Sequence, residues 1–213
     1  MRINLQAALD VGETDALLTL AEKLRPFVDW IEAGTPWILR DGMAPVHLLK
    51  SCFPEKRIVA DMKIMDGGYY EACLGFRAGA DLVTVLGAAS DATIAGVVTA
   101  AREYNGQVMV DLLQVQDLTG RARRAVTLGA DLIGLHTAYD DHSSGRSPLE
   151  ELARFAGDSP APVVVAGGLN LDNLAHVISY CPAAVVVGSA LARAADPAQA
   201  AAAMRRVLDV GVA

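Results

Sequence analysis

One unit recurs along the whole chain: a short strand-like run, a polar or glycine turn, and an amphipathic helical stretch. Strand-like segments fall at 3–9, 28–33, 57–62, 81–86, 107–113, 131–136, 162–166 and 183–188. Their ends lie near Asp10, Glu32, Asp61, Gly87, Asp111, His136, Gly167 and Gly188, at intervals of 21 to 31 residues. That is the length of a βα unit, and there are eight of them. Continuous apolar runs such as Pro162-Val163-Val164-Val165-Ala166 and Val185-Val186-Val187 suit parallel strands covered on both faces. Helical spacing of apolar residues predicts helices over 16–24, 68–78 and 149–155, and the alanine-rich stretch 192–203 reads as the last helix, entered through Asp196-Pro197. The phrase Ala78-Gly79-Ala80-Asp81-Leu82 returns as Leu128-Gly129-Ala130-Asp131-Leu132, each glycine suited to the end of a helix before the next strand.

Eight such units in 213 residues, with no linker or low-complexity segment, predict an α/β fold: one (β/α)8 TIM barrel spanning 1–213. An open doubly wound sheet is the main alternative. Against it, no Gly-x-Gly-x-x-Gly follows the first strand.

Composition narrows the function classes. A hydrophobic content of 53% excludes a disordered chain. Apolar runs stop far short of the ~20 residues that a bilayer span needs, so no membrane partner is expected. A net charge of −7 with no basic run argues against nucleic acid. The first residues enter a strand directly, without the apolar region of a secretory signal. Cys52, Cys73 and Cys181 are odd in number and widely spaced. They are expected to be buried free thiols of a cytoplasmic protein, not a disulfide frame or a zinc site.

In barrels of this kind the active site lies at the C-terminal strand ends, and the polar residues of this chain gather there. In Asp61-Met62-Lys63-Ile64-Met65-Asp66, the period of two puts Asp61 and Lys63 on one side of the third strand, with Asp66 just beyond it. Glu32 sits inside an apolar strand end, and Asp10 closes the first strand. Taken singly, Asp10 serves equally well as a helix cap, Glu32 as one half of a structural ion pair, and the triad as a salt-bridged strand terminus. Converging on one mouth, these carboxylates repel and need cations. Lys63 supplies one; a bound Mg2+ would supply another, since oxygen ligands without Cys or His spacing favour a hard ion over zinc.

His136 ends the sixth strand at the same mouth and is a candidate proton-transfer group, with a satisfied core histidine as the bland alternative. His47, His142 and His176 lack that placement and are expected at the surface. Asp111 is a further candidate site wall with an open role. Gly167-Gly168 after the seventh strand and Gly188-Ser189 after the eighth would let backbone N–H groups approach a phosphate. Ordinary tight turns would use glycine there too; the pair of positions is what points to phosphate. The irregular stretch from Tyr139 to Pro148 is a candidate lid. Together these residues describe a metal-assisted barrel enzyme acting on a sugar phosphate through an enediolate.

Over essentially its whole length the chain resembles the orotidine-monophosphate decarboxylase superfamily. Asp10, Glu32-Ala33-Gly34-Thr35-Pro36, the Asp-x-Lys-x-x-Asp element at 61–66, Ala80-Asp81-Leu82-Val83-Thr84-Val85-Leu86-Gly87, His136-Thr137 and Ala166-Gly167-Gly168 carry the resemblance. Within it, the chain looks most like the 3-hexulose-6-phosphate synthase branch, with 3-keto-L-gulonate-6-phosphate decarboxylase as near relative. The resemblance implies Mg2+ on Glu32 and Asp61, Lys63 stabilising the enediolate, and Asp10 on substrate hydroxyls. It also implies that Asp66 reaches into the partner's site of a homodimer with shared active sites. His136 would take a proton from C1 of ribulose 5-phosphate before the enediolate adds to formaldehyde; the reverse cleavage is equally available. The decarboxylase pattern has arginine three positions after the sixth-strand histidine, where this chain has Tyr139, which favours the aldolase. Ser189 replaces an arginine common in the superfamily, so phosphate would depend more on backbone N–H groups, assisted by Arg146 of the lid. No fused isomerase domain is expected. A decarboxylase, a ribulose-phosphate epimerase and a non-catalytic phosphate-ligand sensor stand as alternatives.

Overall fold

The computed structural model describes residues 2–138, 140, 152–153 and 155–210. Its eight strands are β1 Asn4–Leu9, β2 Trp30–Ala33, β3 Arg57–Ile64, β4 Leu82–Leu86, β5 Gln107–Asp111, β6 Leu132–His136, β7 Val163–Ala166 and β8 Ala184–Val187. They form a closed barrel in chain order, with β8 returning to β1, and every pairing is parallel. The predicted (β/α)8 barrel is therefore observed. The helices described are α1 Thr14–Leu24, α2 Thr35–Asp41, α3 Ala44–Cys52, α4 Gly68–Arg77, α5 Asp91–Glu103, α6 Leu118–Thr127, α7 Leu171–Ile178, α8 Ser189–Ala192 and α9 Pro197–Val210. None of them is long and apolar enough to cross a membrane.

Two cores follow from the period of two along each strand. Residues pointing outward, among them Leu5, Ile31, Ile58, Val83, Val110, Ile133, Val165 and Val185, pack beneath the helices. Those pointing inward form a smaller cluster of Trp30, Val59, Leu82, Met109, Leu132, Val164, Ala184 and Val186 that fills the barrel. Such interior layers make the barrel a packed core, not a pore. One pleat further along, four of these strands switch from apolar to polar: Trp30 gives way to Glu32, Val59 to Asp61, Leu82 to Thr84 and Met109 to Asp111, all buried. That change of layer is the floor of the mouth.

Several details differ from expectation. β3 runs two residues longer than its sequence pattern suggests, and its register against β4 slips between Ala60 and Ile64. The last helix is split: α8 is a four-residue turn, and α9 continues to Val210, because Pro197 starts a new helix in its favoured first-turn position. The long second interval holds two helices, α2 and α3. Of the cysteines, which are all free, only Cys73 is buried; Cys52 and Cys181 are exposed, since they sit at a helix end and in a loop where apolar neighbours in sequence do not mean burial in space. His47 and His176 are exposed, as expected. The lid of 139–148 with Tyr139, His142 and Arg146 lies outside the described residues apart from Asp140, as does most of the helix predicted at 149–155.

Candidate active site

A cavity of about 800 Å3 opens at the C-terminal ends of the strands. It is lined by Asp10, Glu32, Asp61, Lys63, Asp111, His136, Gly167, Gly168, Gly188 and Ser189, together with apolar residues such as Leu17 and Val186. Nearly every residue singled out in the sequence is thus gathered in one place, although they are spread over seven strands.

The register slip in β3 explains how Asp61 and Lys63 share the site. Lys63 has a φ of 45°, uncommon for a residue with a side chain. Its backbone N–H donates to Thr84 Oγ1 at 2.9 Å, where a regular ladder would use a carbonyl. The Thr84 hydroxyl in turn donates to Asp61 Oδ1 at 2.8 Å. A bulge held by a side chain therefore re-aims the strand end. Lys63 Nζ then reaches both Asp61 oxygens, at 3.0 and 2.8 Å, and Asp111 Oδ2 at 3.1 Å. The Thr35 hydroxyl, at the start of α2, lies 2.9 Å from Asp61 Oδ2 and 2.7 Å from the Asp61 carbonyl.

Asp111, whose role the sequence leaves open, joins the two candidate catalytic groups. Only 4% exposed, it contacts Lys63 with Oδ2 and accepts from the Leu113 backbone N–H at 3.0 Å with Oδ1. His136 Nδ1 stands 3.2 Å from the same Oδ2. Burial pushes the Asp111 carboxyl up, but the His136 hydrogen bond and the Lys63 charge outweigh it, and its pKa lies below the ordinary carboxylate value. An ionised Asp111 can only accept, so His136 Nδ1 carries a proton and donates; in the neutral imidazole the lone pair then lies on Nε2, the nitrogen that can act as a base.

The electrostatics follow from burial and crowding. Burial raises the pKa of Asp10, with Asp61 adding to it and Lys63 and His136 opposing. Burial, then Asp61 and Asp10, holds Glu32 well above its ordinary value. Lys63 loses hydration on burial, which disfavours its charge, yet Asp61 and Asp111 dominate and raise its pKa. The ammonium is therefore fixed as a cation, and a second cation would relieve Glu32 and Asp10. Among the described residues no three His, Cys, Asp or Glu side chains are grouped so as to cage an ion. Two oxygen donors, Glu32 and Asp61, do line the same cavity. This suits Mg2+, which commonly takes one or two carboxylates and completes its shell with water and substrate oxygens.

The glycine turns behave as their chemistry requires. Gly167 and Gly168 have φ of 105° and 66°, and a Cβ on Gly167 would come within 2.6 Å of the Thr137 carbonyl oxygen. Backbone, not side chain, therefore faces the cavity there. Gly34, after β2, leaves room for Asp10: an added Cβ would lie 2.0 Å from its Oδ1. Asp66 is the exception to the gathering. It is exposed, accepts from the Gly67 backbone N–H at 2.8 Å, and stands outside the cavity lining of its own chain.

Sequence reasoning missed Thr84 and Gln6. Both lie on the inward face, and both are buried: Gln6 fully, Thr84 to 1% exposure. Counting back or forward in steps of two from the recognised carboxylates, with the barrel register known, would have found them.

Comparison with known proteins gives consistent results. The model of the orotidine 5'-phosphate decarboxylase / HUMPS family matches residues 3–204. A 3-hexulose-6-phosphate synthase of Methylomonas aminofaciens is 42% identical over 198 residues, covering 92% of this chain and 95% of that protein. The crystal structure of 3-hexulose-6-phosphate synthase from Salmonella typhimurium superposes with a TM-score of 0.95 at 38% identity, covering 98% of this chain and 100% of that one. That of 3-keto-L-gulonate-6-phosphate decarboxylase from Vibrio cholerae gives 0.87 at 28% identity, covering 99% of each chain.

Proposed function

The chain belongs to the orotidine 5'-phosphate decarboxylase / HUMPS family, and on that footing we propose that it is a carbon–carbon lyase of the 3-hexulose-6-phosphate synthase type, condensing ribulose 5-phosphate with formaldehyde and catalysing the reverse cleavage. Identity of 37–42% to synthases over nearly the full chain supports this choice over the decarboxylase. The observation that carries the mechanism is the continuous network from Thr84 through Asp61, Lys63 and Asp111 to His136 at the cavity floor.

In this reading the Gly167-Gly168 and Gly188-Ser189 turns hold the phosphate through backbone N–H groups, and Asp10 orients substrate hydroxyls. Glu32 and Asp61 would hold Mg2+, which when bound supplies Lewis-acid stabilisation of the substrate oxygens. His136 Nε2 removes the proton from C1, and Asp111 both fixes the tautomer and offsets the imidazolium charge that forms. Lys63 stays protonated and neutralises the developing enediolate. Carbon C1 then bonds to the formaldehyde carbon as the C=O π bond opens, and the His136 imidazolium returns its proton to the former aldehyde oxygen.

Asp66 serves the site of a second subunit in a homodimer. Met65, Tyr70 and Leu74 beside it are large, apolar and 53%, 79% and 53% exposed, which suits a face covered by another copy. A cytoplasmic location agrees with three unpaired cysteines.

The test incubates purified protein and Mg2+ with ribulose 5-phosphate, with and without formaldehyde, and follows products by NMR. A six-carbon ketose phosphate that forms only with formaldehyde is expected. Epimerisation without addition, or turnover of 3-keto-L-gulonate 6-phosphate instead, would overturn the proposal. So would full activity in excess EDTA, as regards the metal.

A further inference from the structure

Gln6 breaks the apolar layer that fills the barrel. Its register partners on the flanking strands are Trp30 and Val186, both members of the apolar cluster that fills the barrel. Gln6 is fully buried, and its Oε1 has no hydrogen-bond partner among the described residues. A buried amide with an orphan acceptor is costly, and an apolar side chain would fill the same space without that cost. The side-chain bond it makes is informative: Nε2 donates to Glu32 Oε2.

We infer that Gln6 is a positioning residue for the cation site, holding the Glu32 carboxylate in the orientation that binds Mg2+. The amide occupies Oε2 and leaves Oε1 for the cavity that Glu32 lines. Reversing the amide would set two acceptors face to face, so the orphaned Oε1 is the consequence of pointing the donor at Glu32. A lysine or arginine here would donate as well, but its charge would repel the incoming cation. A glutamine gives the hydrogen bond without the charge. Outer-shell hydrogen bonds of this kind orient ligands, and their loss typically weakens metal binding ~10–100-fold.

The inference rests on the proposed metal role of Glu32, and the experiment separates the two. Binding of Mn2+, a paramagnetic stand-in for Mg2+, is titrated by electron paramagnetic resonance in wild type, Gln6→Met and Gln6→Leu, beside melting curves of the metal-free proteins. Both substitutions put an apolar side chain of similar size in its place and remove the donor. The expected result is Mn2+ binding weakened about 10–100-fold per folded molecule in both variants, with metal-free proteins that still fold and melt cooperatively. Folded variants that bind Mn2+ like wild type would overturn the role of Gln6 and leave the metal reading standing. Failure of both variants to fold would assign Gln6 a structural role and overturn the inference. A wild type that takes up no Mn2+ would remove the metal reading and the inference with it.

Discussion

His136 and Glu32 are the two residues whose chemistry is most open to direct test. If His136 takes the C1 proton, His136→Asn should slow exchange of that proton with solvent deuterium by about 10²–10⁴-fold, while binding of a phosphorylated analogue changes little because the glycine turns remain. A core histidine would instead lower the melting temperature and leave exchange per folded molecule intact, so NMR wash-in beside a melting curve decides. Glu32 makes a prediction with a definite sign. Its pKa is raised by burial and then by Asp61 and Asp10. A raised carboxylate pKa means that ionisation favours the unfolded chain at pH above the ordinary 4.5. Glu32→Gln should therefore melt higher than wild type in EDTA at pH 7, and the gain should shrink as pH falls toward 4.5. Mg2+ should raise the melting temperature of wild type but not of the variant. A variant less stable than wild type at pH 7, or one still stabilised by Mg2+, contradicts this account of Glu32.

At the scale of elements, the bulge in β3 does what a regular strand end would not. Thr84 links the two strands there by accepting from Lys63 N–H and donating to Asp61. Thr84→Val keeps the shape and removes both bonds, leaving a buried N–H and a carboxylate oxygen short of a partner. A loss of about 1–3 kcal/mol in urea unfolding is expected, together with reduced turnover as Lys63 loses its fixed direction. Unchanged stability and activity would show that β3 holds its bulge without Thr84. The strands themselves were legible because continuous Val/Ile/Leu runs and turn residues mark them locally. The bulge was not, because a register slip exists only relative to a neighbouring strand. Cys52 and Cys181 teach the same lesson: apolar neighbours in sequence suggested burial that packing did not provide.

For the whole molecule, the exposed position of Asp66 outside its own cavity poses the question of subunit exchange. If each site borrows Asp66 from a partner, Asp66→Ala and Lys63→Ala proteins should each be nearly inactive alone. After mixing and subunit exchange, random heterodimers hold one site with both lesions and one with neither, so roughly a quarter of wild-type activity should return. Assay before and after exchange, with sedimentation to establish the dimer, tests this; persistent inactivity of an exchanged mixture, or an active monomer, would refute shared sites.

What the chain determined by itself is the barrel and the membership of its mouth. The spacing of eight βα units and the side-chain periods of strand and helix are local properties, and they already place Asp10, Glu32, Asp61, Lys63, His136 and the glycine turns at strand ends. Only the tertiary structure decided how those residues act on one another. It closed β8 onto β1, which brings residues some 180 positions apart into one cavity, and it set the depth at which the inward layer turns polar. It made Asp111 the bridge between Lys63 and His136, and Gln6 the donor to Glu32. Hydrogen-bond geometry and desolvation depend on distances across the barrel, and those distances are fixed by closure and register, not by any neighbour along the chain.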